Sequence, residues 1–534
     1  MAELAPPDRS SALARLREGR AWDLVVIGGG ATGLGVALDA AVRGFSVVLL
    51  ESEDFAKGTS SRATKLVHGG VRYLAQGDIG LVREALRERA ALLANAPHVA
   101  QRLPFVVPGF HLWEPAYYGA GLKAYDALAG RRGIGSTEWL SARRTAELLP
   151  TVRRQGLTGG VKYWDGQFDD ARLAVLLART AQARGAVVLN HVAVTGLRRA
   201  DGRVQGVGAQ DAETGERFEL EARCVVNATG VWVDAVRDMD RDAGSPARAP
   251  MVAPSQGVHL VVDRRFLPGT HALMVPKTAD GRVLFAVPWL GKTILGTTDT
   301  PRDDVVREPA PFHAEVDFIL HEAGRYLAQA PTRADVRSVW VGLRPLVRQP
   351  DDDAGDTKAI SREHTVLVGS SGLVTVTGGK WTTYRAMAED VLARCMEHGL
   401  LPQRAGGATE HLRLLGAAPG RPLAEPPGEH LYGSEAALLR ALPGADHWLW
   451  RDAESGRGGL SEAMVRFAVR HEMARTVEDV LARRSRLLFL DAREAAAQAD
   501  AVAAILAEEL GPSFDAAASA AAFKALAAQY ATLP

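Results

Sequence analysis

The sequence predicts an α/β protein with a strand-rich middle region and a helical C-terminal region. Three observations favour this class. A glycine-rich strand–turn–helix–strand pattern occupies residues 23–51, several extended apolar segments follow within residues 251–300, and helical spacing dominates beyond residue 427. At 534 residues the chain is long enough for two or three domains.

The first pattern is typical of dinucleotide binding. Asp23–Ile27 form a buried apolar segment, and Gly28, Gly30 and Gly33 follow as G-x-G-x-x-G before a helix and a second strand. Gly28 allows a tight turn, Gly30 lets the backbone approach a pyrophosphate, and Gly33 permits close helix–strand packing. The helix N-terminus attracts phosphate, and Glu51 suits an adenosine ribose. We therefore predict a Rossmann-like nucleotide domain.

Composition excludes several classes of protein. The formal net charge is zero, which argues against nucleic-acid binding. Cys224 and Cys395 lack the spacing of a zinc site or a disulfide framework, so we expect no metal and a reducing compartment. Residues 1–23 lack the apolar segment of a signal peptide. Without a long apolar run we expect no transmembrane helix, although peripheral membrane contact remains open.

The other elements follow from periodicity and turn residues. We expect strands at residues 105–109, 186–189, 336–347, 365–368 and 373–376, and a β-meander at 193–222. Residues 223–230 are expected to form a buried strand that runs into a turn of small residues. Residues 401–427 are rich in Pro, Gly and Ala, as expected at a domain boundary. Helices are expected at residues 11–18, 79–96, 169–184, 312–328, 462–482, 492–510 and 516–530, and an amphipathic segment at 115–130.

The sequence contains one complete glycine fingerprint. Ala228, Thr229 and Gly230 follow a buried strand, but no G-x-G-x-x-G helix comes after them. A reductase that takes electrons from NAD onto its own flavin would usually carry two fingerprints. We therefore expect one bound dinucleotide and an electron acceptor other than NAD.

A second glycine turn opens a helix near residue 380. Gly378 and Gly379 precede Lys380, and Thr382 and Thr383 follow it. A cation at a helix N-terminus is unfavourable unless an anion is also present. One interpretation is a solvated loop lysine. The other is that Lys380 and the backbone N–H groups face an anion such as reduced flavin.

Further cations could bind a substrate. Arg344 lies within the apolar segment VWVGLRPLV, where burial is costly unless the guanidinium is paired. Arg72 and Tyr73 follow a glycine pair. Arg72, Arg344 and Lys380 together would suit a dianionic phosphate. Separate structural ion pairs are the alternative, and spacing alone favours that alternative.

Two histidines are candidates for proton transfer. His68 lies in KLVHGG and His259 in QGVHLVV. Histidine titrates near neutral pH and is therefore a common general base. The alternative is that both residues are structural, as most histidines are.

These motifs also carry a family resemblance. The segments are VIGGGATGLGVALDAAVRG, TSSRATKLVHGGVRYL, DDARL, VNATGVWVD, GTTDT, GLRPL and GGKWTTYR, spanning about residues 22–390. They resemble the FAD-dependent glycerol-3-phosphate dehydrogenases of the aerobic, quinone-linked kind. The second and the last segments are specific to that family, and the helical C-terminal segment resembles its additional domain.

The resemblance implies a fold of the glycine-oxidase type, in which a Rossmann-like FAD-binding domain is interleaved with a β-rich substrate domain. The oxidoreductase region would cover residues 21–399, and the C-terminal α-helical domain residues 400–534. The expected FAD-binding parts are about 21–104, 160–245 and 350–399. The expected substrate-binding parts are about 105–159 and 246–349.

The resemblance also implies roles for individual residues. The substrate phosphate and hydroxyls would be held by Arg72, Tyr73, Arg344 and Lys380. The expected catalytic residues are His68, His259, Arg344 and Lys380. The residues expected along the FAD are Gly28, Gly30, Gly33, Glu51, Thr59, Ser60, Ser61, Lys65, Ala228, Thr229, Gly230, Gly378, Gly379, Thr382 and Thr383.

The implied reaction is oxidation of sn-glycerol 3-phosphate to dihydroxyacetone phosphate. The C2 hydroxyl loses a proton to His259 or His68, a hydride passes to FAD, and the electrons go on to a quinone. Three alternatives stay open: a glycerol-3-phosphate oxidase that uses dioxygen, an amino-acid oxidase of the same fold, and a flavin-binding regulatory or scaffold protein.

We expect a cytoplasmic homodimer with peripheral contact to the inner face of the cell membrane. The family carries a hydrophobic membrane-dipping helix near residues 117–128. Here that stretch is rich in Ala and Gly, which argues against tight attachment.

Overall fold

The computed structural model describes residues 8–70, 78–242, 248–278, 281–348 and 363–534. In these ranges the strands are β1 Trp22–Ile27, β2 Val47–Leu50, β3 Leu66–Val67, β4 Ala100–Gly109, β5 Glu138–Ser141, β6 Gly159–Phe168, β7 Val187–Leu189, β8 Val192–Ala200, β9 Arg203–Asp211, β10 Arg217–Asn227, β11 Val252–Asp263, β12 Ala272–Val275, β13 Leu284–Trp289, β14 Lys292–Gly296, β15 Thr300–Pro301, β16 Val336–Val347, β17 His364–Val368, β18 Val374–Gly378, β19 Trp448–Arg451 and β20 Gly459–Ser461.

The α-helices of the same ranges are Arg9–Arg17, Ala31–Val42, Ile79–Asn95, Glu114–Ala129, Ala142–Leu148, Asp170–Ala183, Val233–Met239, His313–Tyr326, Tyr384–Glu397, Ala436–Arg440, Glu462–Glu472, Leu487–Leu490, Ala492–Leu510 and Ala516–Ala531. None of these helices combines the length and the hydropathy that crossing a lipid bilayer requires.

The first sheet has the strand order β17-β18-β10-β1-β2-β7. Strands β10, β1, β2 and β7 run parallel. The residues of β2 are all buried, as expected for a parallel sheet covered on both faces. The carboxyl ends of β1, β2 and β10 therefore lie along one edge, which is where such sheets bind ligands. Gly28, Glu51 and Ala228 directly follow these ends.

The second sheet has the order β15-β11-β14-β13-β12-β4-β6-β3, with β16 paired to β11. Strands β11 and β16 are antiparallel over most of their length, and their register places His259 opposite Trp340 and Ser255 opposite Arg344. A single strand pair thus carries two of the predicted site residues.

The C-terminal helices share one hydrophobic core with the second sheet. Trp289 and Trp340 from the sheet pack in the same cluster as Phe467, Phe489 and Phe523. Their burial removes a large apolar area from water, which is the main force holding the C-terminal region in place.

Two predicted features of the C-terminal region are wrong. The helix predicted at 462–482 ends at Glu472, because Met473 adopts a left-handed conformation with φ of 55°, and a π-helical segment follows at Asp479–Arg484. The Asp479 carboxylate accepts the N–H groups of Arg475 and Thr476 at 2.8 and 3.1 Å, which starts this separate turn. A hairpin of β19 and β20 also lies in the stretch predicted to be helical.

Candidate active site

A cavity of ≈ 660 Å³ is lined by residues of both sheets. The first sheet contributes the turns that follow β1, β2 and β10, and the second contributes His259 and Arg344. The turn that carries Lys380 closes another part of the wall. One continuous space therefore connects the predicted nucleotide turn with the predicted substrate residues.

The first glycine turn has the geometry predicted from its sequence. Gly28 has φ of 107°, and a Cβ there would lie 2.7 Å from the Ala228 carbonyl oxygen. A Cβ on Gly33 would lie 2.0 Å from the Gly28 oxygen, so only glycine permits this helix–strand approach. Gly30 caps the helix Ala31–Val42. The helix N-terminus lines the cavity, and the Ser60 hydroxyl lies in front of it, where its Oγ accepts the Ala31 N–H at 2.9 Å.

The carboxylate of Glu51 is oriented by backbone groups. Its Oε2 accepts the Gly29 N–H at 2.7 Å, and its Oε1 accepts the Glu53 N–H at 2.9 Å. Each carboxylate oxygen can accept more than one hydrogen bond. Glu51 therefore keeps the capacity to accept a ribose hydroxyl.

The second glycine turn places Lys380 in the wall. Gly378 and Gly379 both have positive φ, 83° and 73°, and a Cβ on either would collide with the Glu363 oxygen or the Met387 sulfur. The indole Nε1 of Trp381 donates to the Ser60 oxygen at 2.8 Å. That bond ties this turn to the loop that carries Thr59 and Ser60.

The guanidinium of Arg344 is oriented by a set of acceptors. Its Nη1 donates to the Gln256 carbonyl at 3.3 Å and to Asp299 Oδ1 at 3.2 Å. Its Nη2 donates to the Thr298 carbonyl at 2.9 Å. The side chain is 24% exposed, so part of the guanidinium is accessible from the cavity.

His259 lies in the cavity wall and is 2% exposed. Its Nε2 is 2.9 Å from Thr64 Oγ1, and its ring stacks on Trp340. Burial, and then the charges of Lys65 and Arg344, hold the pKa of His259 well below its ordinary value. The imidazole is therefore neutral near pH 7.

The structure brings most of the predicted site residues together. Those that line the cavity are Gly28, Gly30, Glu51, Thr59, Ser60, His68, Ala228, Thr229, Gly230, His259, Arg344, Gly378, Gly379, Lys380 and Thr382. The predicted contacts of Arg72 and Tyr73 lie outside the described residues. Gly33, Ser61, Lys65 and Thr383 are not among the lining residues.

Lys65 is placed one layer behind the wall, not along the cavity as predicted. Its ammonium is completely buried and donates to the Ser61 oxygen and to Asp170 Oδ2, both at 2.7 Å. A buried lysine requires such partners, and these partners turn the side chain away from the cavity.

Among the lining residues that were not identified from the sequence, three take part in hydrogen bonds that orient the site. Thr64 bonds His259, Asp299 bonds Arg344, and Arg282 donates to the Asp299 carbonyl at 3.1 Å. Asp299 lies in the GTTDT segment, which was matched to the family without a role for that residue. These residues are far apart in the sequence and lie on separate strands and loops. They come together at the cavity only when the chain folds.

The residues present fit an FAD. The helix N-terminus behind Gly28 and Gly30 suits a pyrophosphate, Glu51 suits the ribose, and the cavity continues from there to the second glycine turn. An FAD bound in this cavity would extend to the parts of its wall that carry His259 and Lys380.

Two family descriptions match the chain. Residues 23–385 match the FAD dependent oxidoreductase family. Residues 405–517 match the C-terminal domain of alpha-glycerophosphate oxidase.

Curated relatives match nearly the whole chain. The mitochondrial glycerol-3-phosphate dehydrogenase of Arabidopsis thaliana is 42% identical over 548 residues, covering 94% of this chain and 86% of the relative. The human mitochondrial glycerol-3-phosphate dehydrogenase is 39% identical over 539 residues, covering 95% of this chain and 73% of the relative.

Solved structures show the same architecture. The glycerol-3-phosphate dehydrogenase of Bacillus halodurans, solved with FAD, superposes with a TM-score of 0.76 at 31% identity and covers 98% of both chains. Glycine oxidase of Geobacillus kaustophilus superposes with a TM-score of 0.53 at 20% identity, covering 73% of this chain and 98% of the oxidase. The second likeness concerns the fold alone and agrees with the predicted glycine-oxidase type.

Proposed function

Because the chain belongs to the family of FAD-dependent glycerol-3-phosphate dehydrogenases, we propose that it oxidises sn-glycerol 3-phosphate to dihydroxyacetone phosphate and passes the electrons to a quinone. The observation that carries the proposal is the single cavity that joins the nucleotide turn to His259, Arg344 and Lys380.

Arg344 and Lys380 bind the substrate phosphate in this proposal. A guanidinium gives forked, charge-assisted hydrogen bonds to phosphate, and a lysine adds a compact positive charge. Arg344 is already oriented by Asp299 and by backbone carbonyls of the same wall, so little ordering is lost when an anion binds. The family resemblance adds Arg72 and Tyr73 as further proposed substrate-binding residues.

His259 is the proposed base that takes the proton of the C2 hydroxyl. Its neutral imidazole is held between the Thr64 hydroxyl and the Trp340 ring, so its orientation is fixed before substrate enters. Binding of a phosphate anion next to Arg344 offsets one of the charges that lower the pKa of His259. Substrate binding thereby raises the pKa of His259 and makes it a stronger base. His68, in the same wall, is the alternative base.

Bound FAD supplies the acceptor for the hydride that leaves C2. Lys380 and the N–H groups of the turn after Gly378 stabilise negative charge that develops nearby. The substrate must therefore lie between His259 and the wall that carries Lys380.

We also propose that the protein acts at a membrane surface, where a quinone is available, and as a homodimer. Leu112, Trp113 and Tyr117 at the start of the helix Glu114–Ala129 are 88%, 58% and 68% exposed, and Trp139 beside them is 53% exposed. Aromatic and aliphatic side chains in such an exposed group are typical of interfacial membrane contact.

Turnover with a dye acceptor tests the substrate assignment. We expect oxidation of sn-glycerol 3-phosphate and formation of dihydroxyacetone phosphate, with little oxidation of unphosphorylated glycerol. Equal rates on both compounds would contradict the phosphate pocket. If Arg344 is replaced in the same assay, Arg302→Met is the matched control, because Arg302 bonds Gln256 and Asp304 and is not among the cavity-lining residues.

A second assay separates a quinone-linked dehydrogenase from an oxidase. With sn-glycerol 3-phosphate as donor, we expect reduction of a soluble quinone to exceed formation of hydrogen peroxide under air. Stoichiometric hydrogen peroxide without quinone reduction would instead assign the oxidase reaction.

A further inference from the structure

A short segment of the C-terminal region enters the layer directly behind the active-site wall. Arg486, just before the helix Leu487–Leu490, is fully buried and has a positive φ of 67°. Its Nη2 donates to the Ser61 carbonyl at 2.8 Å and to Asp170 Oδ1 at 3.1 Å. These acceptors belong to the oxidoreductase region, more than 300 residues earlier in the chain.

Lys65 uses the same two partners. Its Nζ donates to the Ser61 carbonyl and to the other oxygen of Asp170, each at 2.7 Å. The carboxylate of Asp170 is therefore held on one side by Arg486 and on the other by Lys65. The backbone N–H groups of Ala171 and Ala63 also donate to this carboxylate, at 2.9 and 3.1 Å. Loss of Arg486 would remove the side-chain donor to Oδ1 and weaken the hold on the carboxylate that Lys65 shares.

Aromatic rings connect this ion-pair group to the base. The ammonium of Lys65 lies 5.2 Å from the ring centroid of Trp340 and 5.3 Å from that of Phe489. Phe489 belongs to the short helix Leu487–Leu490. Phe489 packs edge-on against Trp340 at 5.2 Å. Trp340 also stacks on the imidazole ring of His259, with the ring centroids 5.3 Å apart.

The backbone on the other side of His259 is held by the same group. Thr64, which lies 2.9 Å from His259 Nε2, is adjacent to Lys65 and three residues from Ser61. Strand β16 is fixed as well, because Ser338 Oγ donates to the Leu488 carbonyl at 2.8 Å. Thr64 and Trp340 both contact the His259 ring. The C-terminal segment 486–489 bonds Ser61 near the first of them and packs directly against the second.

We propose that Arg486 is a positioning residue for the active site, which acts through Asp170, Lys65 and Trp340 to hold His259 against Thr64. The C-terminal domain thus takes part in setting the geometry of the base as well as adding to the core. This inference rests on the proposed function, in which His259 accepts the substrate proton.

The test compares Arg486 with a matched arginine that also links the two regions. Arg179 is 2% exposed and forms a bidentate pair with Glu435 at 2.6 Å, and it is not among the cavity-lining residues. The holoenzymes to compare are the wild type, Arg486→Met, Arg486→Lys, Arg179→Met and Arg179→Lys. Each is measured for FAD content, Tm and the rate constant of flavin bleaching by saturating sn-glycerol 3-phosphate under anaerobic conditions, per bound FAD.

We expect Arg486→Met to lower the bleaching rate constant at least about tenfold, a loss of about 1.4 kcal/mol of transition-state stabilisation. The half-saturating substrate concentration should change less than threefold, and Arg486→Lys should be intermediate. The Arg179 variants should lower Tm without changing the rate constant per bound FAD. A wild-type rate constant in Arg486→Met would overturn the proposal, even if its Tm is lower. If Arg486→Met does not fold, Arg486→Lys and Phe489→Leu carry the same comparison.

A substrate-independent measurement separates this proposal from the proposed function. Diethyl pyrocarbonate modifies accessible histidines, and peptide mass spectrometry measures the rate at His259. We expect that rate to rise at least fivefold in Arg486→Met and to stay unchanged in Arg179→Met. Equal rates in all variants would overturn the positioning role. Failure of wild-type flavin to bleach with sn-glycerol 3-phosphate would refute the proposed function, and the modification rates would still decide whether Arg486 positions His259.

Discussion

The imidazole of His259 stacks on the indole of Trp340, with ring centroids 5.3 Å apart and the two planes inclined by 15°. The residues occupy opposed positions on the paired strands β11 and β16. Stacking fixes the plane of the imidazole, while Thr64 fixes one of its nitrogens. This arrangement gives a neutral imidazole with a fixed orientation, which is what the proposed role of general base requires.

Replacing His259 should therefore reduce catalysis more than binding. We expect His259→Asn to lower the anaerobic flavin-bleaching rate constant by about 10²–10⁴-fold, the usual contribution of a general base. The substrate concentration at half-saturation should change little, because the phosphate contacts remain. Stopped-flow absorbance measures both quantities. His68→Asn is the comparison, and a larger loss there would move the role of base to His68.

Replacing Arg344 should reduce binding of the phosphate. We expect Arg344→Met to raise KM for sn-glycerol 3-phosphate by about 100-fold, because charge-assisted hydrogen bonds contribute about 1.5–3 kcal/mol. The slow reaction with unphosphorylated glycerol should be unaffected, since glycerol has no anion to bind. Steady-state kinetics with a dye acceptor gives both values. An equal loss with both compounds would mean that Arg344 shapes the pocket and does not bind phosphate.

The ion pair between His191 and Asp479 joins the two regions and should make stability depend on pH. Burial alone would lower the pKa of His191, but the Asp479 carboxylate, 2.9 Å away, outweighs burial and raises it. A histidine whose folded pKa is raised stabilises the protein fully below its unfolded pKa near 6.5, and that contribution is lost as pH rises through the folded pKa.

We therefore expect His191→Asn to lower the free energy of unfolding by about 1.5–3 kcal/mol at pH 5.5. The difference from the wild type should shrink as the pH rises toward 9. Chemical denaturation at both pH values measures it. The control is His313→Asn, since His313 pairs with Asp317 on the same helix and both side chains are exposed. A difference that grows with pH would contradict the assigned ion pair.

The exposed side chains around Trp113 should govern membrane contact. We expect Trp113→Ser to reduce co-sedimentation with vesicles that contain anionic lipid by about threefold or more, because burial of a large aromatic side chain contributes about 1.5–3 kcal/mol. Flavin bleaching in solution should be unchanged. Leu438→Ser serves as control, because Leu438 is exposed on a C-terminal helix. Equal loss of vesicle binding in both variants would contradict a specific role of the exposed side chains around Trp113 in membrane contact.

Local features of this fold could be predicted from the sequence. The strand–turn–helix–strand unit at residues 23–51 depends on contacts between near neighbours, and its turn glycines occupy the conformations that their spacing indicates. Most helices also began and ended within a few residues of the prediction. The exception, at Met473, arises because Asp479 takes part in long-range pairing with His191, which apolar periodicity does not encode.

The site was harder to predict because its residues converge from distant segments. His259 and Arg344 share a wall only through the register of β11 and β16. Lys65 lies in a family motif, yet its ammonium is buried behind the cavity wall and shares its acceptors with Arg486, about 420 residues later in the chain. No local pattern could indicate that partnership, nor the bond between Asp299 and Arg344.

The most direct test of the central claim is anaerobic mixing of the purified holoenzyme with sn-glycerol 3-phosphate, followed by the visible absorbance of the flavin. We expect rapid and complete bleaching by this compound, with one dihydroxyacetone phosphate formed for each FAD reduced, and negligible bleaching by unphosphorylated glycerol over the same time. An oxidised spectrum that persists with sn-glycerol 3-phosphate, or equal bleaching by glycerol, would contradict it.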